Sequence, residues 1–169
     1  MAKSRNRYSR ENRIRLKQST SLEHQPDQEM GSGVVKERMH VPVDEELFRA
    51  IGSGSRWSDV VRVGDTLWVT GQLGWNRHTG ELVEGLEGQA EQALINLGNA
   101  LTRAGSSLSD VVLTRIYLTD HDHYARYEPI YNRYFPTKQP ARVSVVVAEL
   151  IHHALFDIEA VAVTDSDDS

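Results

Sequence analysis

Leu86-Glu-Gly-Gln-Ala-Glu-Gln-Ala-Leu-Ile-Asn-Leu-Gly-Asn-Ala-Leu-Thr-Arg-Ala104 is the stretch from which the fold reads outward. Leu86, Ala90, Ala93, Leu94, Leu97, Ala100, Leu101 and Ala104 fall on one face at a period of about 3.6 residues, the mark of an amphipathic helix. Gly105 follows in the position that glycine favours after a helix C-terminus. On the N-terminal side, Ser58–Val63 and Thr66–Leu73 are β-rich runs separated by Gly64-Asp65, a two-residue hairpin signal. Asn76–Gly85 reads as a polar loop. On the C-terminal side, Val111–Leu118 is a strand in which Thr114 and Arg115 interrupt an apolar run. A second helix opens near Asp120 and carries Tyr124, Tyr127, Ile130, Tyr131, Tyr134 and Phe135 on one face. Pro129 within it removes a donor and should kink the helix or delay its start. Val143–Leu150 and Leu155–Val163 are two further strands, joined by Ile151-His-His-Ala154.

The order β-β-α-β-α-β-β predicts an α+β domain of two layers, with helices covering one face of a sheet. Such a sheet leaves its other face uncovered, so self-association is expected.

The chain has 169 residues, 25% charged and 39% hydrophobic, which suits one domain and an extension. No run approaches the ~20 apolar residues of a membrane helix. The absence of cysteine excludes disulfides, thiolate metal sites and a cysteine nucleophile, and agrees with a cytoplasmic location. The net charge of −5 hides a division: residues 1–17 carry +6 and the remainder −11. Residues 1–30 are basic, polar and poor in apolar side chains, and read as a disordered tail rather than a targeting helix. Residues 31–54 read as an extension or linker, with one helical turn at Asp44-Glu-Glu-Leu-Phe and a loop at Gly52-Ser-Gly54. The ordered domain is expected over 55–163, followed by an acidic tail, 164–169.

The histidines at His121, His123, His152 and His153 read as exposed turn residues rather than metal ligands, and no glycine-rich phosphate loop precedes a helix. The informative residues lie elsewhere. Pro140-Ala-Arg142 opens a strand with a guanidinium, the group best suited to gripping a carboxylate. Asp157 and Glu159 stand at i and i+2 on the last strand and share a face. A hairpin of the last two strands would bring Arg142 to these carboxylates, either as a site or as an ion pair at a sheet edge.

Five segments together resemble one family: Val61-Arg-Val-Gly-Asp-Thr-Leu-Trp-Val-Thr-Gly-Gln72, Thr79-Gly-Glu-Leu-Val-Glu-Gly85, Ile116-Tyr-Leu-Thr-Asp120, Tyr131-Asn-Arg-Tyr-Phe135, and Pro140-Ala-Arg142 through Asp157-Ile-Glu-Ala160. The likeness is to the Rid family, the YjgF-type reactive imine deaminases also labelled endoribonuclease L-PSP, and it runs from about Trp57 to Val163. It implies a chorismate-mutase-like fold assembled as a homotrimer around a strand-built barrel, with sites in the clefts between subunits. It also implies hydrolysis of 2-imino acids, such as 2-iminobutanoate or 2-iminopropanoate, to 2-keto acids and ammonia, without metal or cofactor.

The family's substrate-gripping arginine falls on Arg142, its aromatic lid on Trp57, its small hydroxyl residue on Thr70, followed by Gly71, and its water-handling acid on Asp157. A helix asparagine falls on Glu128. Tryptophan replaces the family's tyrosine, aspartate its glutamate and glutamate its asparagine. A one-methylene shortening at a catalytic carboxylate is large on the scale of catalytic geometry, where ~1 Å costs about 10²-fold. Two other readings stand beside the deaminase: a non-catalytic trimer that binds small carboxylates, and RNA binding or cleavage, which the acidic body disfavours.

Overall fold

In a computed structural model, residues 37–52, 54 and 56–164 are described; the tail expected over 1–30, and all but the first residue of the tail expected over 164–169, lie outside them. The Gly64-Asp65 signal makes the predicted hairpin, β2 (Ser58–Val63) and β3 (Thr66–Leu73), with Val63 opposite Thr66 and Gly64 at φ 58°. The helical period becomes α2 (Gly85–Arg103), and Leu86, Ala90, Ala93, Leu94, Leu97, Ala100 and Leu101 are all buried on its sheet side. β4 (Val111–Leu118) and α3 (His123–Tyr134) follow. The second helix starts three residues after Asp120 and runs through Pro129. β5 (Ala141–Val146) and β6 (Phe156–Val163) complete the domain.

Part of the segment read as a linker is structured. Arg38–Pro42 forms β1, paired antiparallel with β2, and Glu45–Ile51 forms α1. β1 escaped the sequence reading because it is a short edge strand with only Val41 buried, and so carries no apolar alternation. α1 begins at an Asp44 cap whose carboxylate accepts from Glu46 and Leu47 N–H, both at 3.1 Å, and it ends at Gly52 with φ 62°.

The strand order is β1-β2-β3-β6-β4-β5. This corrects the expectation that the last two strands form a hairpin. β5 pairs with β4 in parallel, Arg142 opposite Thr114, while β6 inserts between β3 and β4 and is antiparallel to both. A strand returning through α3 lies parallel to the strand it left, and this crossover carries β5 to the sheet edge. The strand expected to reach Leu150 stops at Val146, and a 3₁₀ turn at Ile151–His153 leads back into the sheet.

Both long helices cover one face. Residues 156, 158, 160 and 162 of β6 point into the core beneath α2, together with Leu67, Val69, Ile116 and Leu118. α3 is tied down by Tyr131 Oη to Thr114 Oγ1 at 3.0 Å and by Tyr127 Oη to Ser144 Oγ at 2.8 Å. The opposite face presents exposed Trp68, Val143, Val145 and Val163 around an Arg115–Glu159 ion pair. The sequence expectation of a one-sided sheet is therefore met.

α2 approaches the end of β3 closely at Gly74, where an added Cβ would lie 2.5 Å from Gln89 Cα. Backbone on both sides leaves nothing flexible to give way. Gly74→Ala is expected to lower stability by about 1–3 kcal/mol, seen as a reduced urea midpoint at unchanged slope.

Candidate active site

The cleft is built where β3 loses its regular pairing with β6. Val69 faces Ala160 and Gln72 faces Ile158, so Thr70 and Gly71 together oppose a single residue. This bulge turns the strand opposite Glu159, while Asp157 itself faces Leu73. Gly71 makes the arrangement possible: a Cβ there would fall 2.7 Å from both carboxylate oxygens of Asp157.

A cavity of about 570 Å³ opens over the bulge, lined by Trp57, Asp59, Thr70, Gly71, Gln72 and Asp157. Leu47, Ile51, Leu73, Trp75, Asn96, Ile151 and His152 complete its wall. Of the residues singled out from sequence, Trp57, Thr70, Gly71 and Asp157 thus meet in one place. Burial pushes the Asp157 carboxyl up to about 6; the Ile158 N–H works against that rise and the Glu159 carboxylate adds to it. Its Oδ1 is buried without a hydrogen-bond partner among the described residues.

Trp57 is held by a relay that the sequence reading missed. Its Nε1–H donates to Asp59 Oδ1 at 3.0 Å, and the buried Asp59 is paired in turn with Arg103 at the end of α2. Arg103 also donates to the Pro42 carbonyl at 2.7 Å, so β1, β2 and α2 meet behind the indole. The i, i+2 spacing of Trp57 and Asp59 was visible in the sequence, but the arginine 44 residues further on was not paired with it. Asn96, also missed, reaches from α2 to the carbonyls of Leu73 and Trp75 at 2.9 and 3.0 Å and fixes the wall beyond the bulge. His152 is exposed, as expected of a turn residue, yet it lines the cleft with its ring edge-on to Trp75, centroids 5.0 Å apart.

Arg142 and Glu128 lie elsewhere. Arg142 emerges on the helix side of β5, where Nη2 donates to Tyr124 Oη at 2.9 Å and to Glu128 Oε1 at 3.0 Å. Its guanidinium carbon stands 5.0 Å from the Tyr131 ring centre and within 6.0 Å of those of Tyr124 and Tyr127. Burial acts to lower its pKa, but the Glu128 hydrogen bond and the nearby phenols outweigh it, and the group stays charged. Nη1 is buried and has no partner among the described residues. Asp157, by contrast, alternates with core-facing Phe156 and Ile158 and so points to the open face. The expected approach of Arg142 to the Asp157–Glu159 face is therefore corrected: within one chain they occupy opposite sides of the sheet. Glu159 pairs with Arg115 at 3.0 Å instead.

The model of the family described as Endoribonuclease L-PSP matches residues 48–164, and the chain belongs to that family. It is 36% identical over 107 residues to a RutC family protein of Pyrococcus abyssi, covering 63% of this chain and 84% of that relative. It is 36% identical over 116 residues to a human protein named 2-iminobutanoate/2-iminopropanoate deaminase, covering 68% and 85%. Among solved structures it is similar to RidA from an Antarctic Psychrobacter, with a TM-score of 0.64 and 35% identity over 66% of this chain and 91% of that one.

The Glu128 carboxylate occupies one side of the Arg142 guanidinium, so any anion approaching that arginine meets a competitor. Glu128→Gln is expected to tighten the binding of a simple carboxylate such as acetate at Arg142 several-fold, as measured by calorimetry, in keeping with an ion pair worth up to about 1 kcal/mol.

Proposed function

We propose that this protein hydrolyses 2-imino acids to 2-keto acids and ammonia, in clefts completed by a second copy of the chain. The observation that carries this reading is the pair of unspent buried atoms, Arg142 Nη1 and Asp157 Oδ1. One is suited to a substrate carboxylate and the other to a water molecule. They stand on opposite faces of one sheet, with Arg142 on the edge strand β5. A neighbouring copy packed on the open face offers a way for one chain's arginine to serve another chain's acid. The exposed Trp68, Val143, Val145 and Val163 on that face favour such packing, because contiguous apolar surface gains free energy when covered. The family resemblance implies three copies.

In the reaction, Arg142 holds the carboxylate and thereby fixes the C=N carbon. Asp157, as the carboxylate, orients a water and accepts its proton as the oxygen adds to that carbon. That proton passes to nitrogen, and as the C–N bond of the carbinolamine breaks its hydroxyl gives up the remaining proton to the Asp157 carboxylate, forming the C=O bond and releasing ammonia and the 2-keto acid. Thr70 offers a hydroxyl beside the reacting centre, and Trp57 covers it. A protonated imine is already electrophilic, so the work left to the protein is orientation and charge placement.

The kinetic test generates 2-iminobutanoate with a dehydratase and follows it by competition with semicarbazide. The wild type is expected to accelerate keto-acid formation, and Arg142→Ala to lose about 10²-fold in kcat/KM, because charge-assisted hydrogen bonds to the substrate are removed. Equal rates with and without the protein would sink the proposal. Binding of 2-ketobutyrate without turnover would mark a carboxylate binder instead, a reading that the Glu128–Arg142 pair favours.

The pH profile follows from the sign of the Asp157 shift. The carboxylate is the working form and its pKa is raised to about 6, so kcat/KM should climb as pH rises through that region and be lost below it. Asp157→Asn should abolish the ascending limb along with most of the activity.

A further inference from the structure

In the single chain, before a second copy covers the open face, the cleft is larger than a four-carbon substrate requires. Its volume of about 570 Å³ falls within the range of about 300–1,000 Å³ that accommodates drug-sized ligands. The groups with chemistry to offer, Thr70, Gly71 and Asp157, gather at the bulge. Most of the remaining wall is apolar or aromatic, made by Leu47, Ile51, Trp57, Leu73, Trp75 and Ile151.

Several observations show that this wall is built. The Trp57 indole is fixed through Asp59 and Arg103, and the edge of Phe48 packs against it at 6.2 Å between ring centres. Leu47 and Ile51 come from α1, a helix docked by specific contacts. Asp44 at its cap pairs with Arg77 at 3.4 Å, and Glu46 with His78 at 2.7 Å. Gly80 lets Ala50 approach so closely that an added Cβ would lie 2.5 Å from the Ala50 carbonyl carbon. A preformed wall binds an apolar side chain without the ordering cost of a flexible one.

The wall also discriminates by charge. No lysine or arginine of this chain lines the cleft among the described residues. The one cation a second copy would bring, Arg142, is taken up by Glu128 and the substrate carboxylate, so an acidic side chain finds no partner at this wall. Asp59 is already paired with Arg103 and Asp157 is occupied by the water at the reacting carbon, so a basic side chain would lose its hydration against indole and aliphatic surface with no carboxylate left to pair it.

Resting on the deaminase reading above, we propose that the preferred substrates are 2-imino acids with a large apolar side chain, aromatic above all, whose ring lies between Trp57 and Trp75 while the imine carbon meets Asp157. The reaction that supplies them is the oxidation of the corresponding amino acid at its α-carbon.

The test uses the full-length protein and an amino-acid oxidase with catalase, supplied in turn with phenylalanine, leucine and alanine, with semicarbazide competing for the imine. Expected is a preference in kcat/KM of about tenfold or more for the phenylalanine-derived over the alanine-derived imino acid, with leucine between, since each added apolar group is worth about 10-fold or more in a fitted pocket. Ile51→Trp, which fills the apolar end, should bring the ratio toward one. A second arm needs no turnover: phenylpyruvate and pyruvate are titrated against the fluorescence of the tryptophans, two of the chain's three lining the cleft. Phenylpyruvate should bind at least about tenfold more tightly. Hydrolysis of the alanine-derived imine with no preference for larger ones, or equal affinity for the two keto acids, overturns the inference. Selective binding of phenylpyruvate without turnover of any imino acid upholds the pocket's selectivity and overturns the deaminase reading alone.

Discussion

The structure depends on the two-residue alternation of β6. Phe156, Ile158, Ala160 and Ala162 are almost wholly buried beneath α2, so Asp157 and Glu159 have no choice but the other face. β6 is also the strand between β3 and β4, which makes it the wall against which the Thr70–Gly71 bulge forms. Core packing and the placement of the candidate acid are thus one constraint. A slip of one residue would bury two carboxylates and expose a phenylalanine.

The same placement separates the two charged groups of interest. With β6 central, β5 is left at the edge, and Arg142 lies over the tyrosines of α3, on the helix side. Aromatic faces and one carboxylate stabilise its charge and leave one nitrogen buried and unused. The substitutions at the cleft read differently once their surroundings are known. Trp57 adds bulk, but Asp59 occupies its N–H and makes it a fixed wall. Asp157 has a shorter reach than glutamate, but the missing Cβ of Gly71 gives its carboxylate room.

Much of the fold was legible because it is local. The stripe on Leu86–Ala104, the Gly64-Asp65 turn and the β-branched runs each describe a segment whose conformation follows from residues a few positions apart. β1 was not legible, since five residues with one buried side chain carry almost no periodic signal. Nor was the order of the last strands: adjacency in sequence suggests a hairpin, and only the crossover through α3 rules it out. Of the candidate residues, Trp57, Thr70, Gly71 and Asp157 line one cavity, while Arg142 and Glu128 do not. Asp59, Trp75 and Asn96 were missed because their roles rest on partners distant in the chain.

By itself the sequence determined the elements of the domain other than β1, the one-sided sheet and a set of candidate residues whose chemistry suits a carboxylate or a water, because propensity, periodicity and side-chain chemistry are properties of short stretches. The tertiary structure decided which of those residues share a cavity, how large it is and which face of the sheet each charge occupies. Those are matters of strand order and register, set by contacts between segments as far apart as Thr66 and Val163, and no local pattern encodes them.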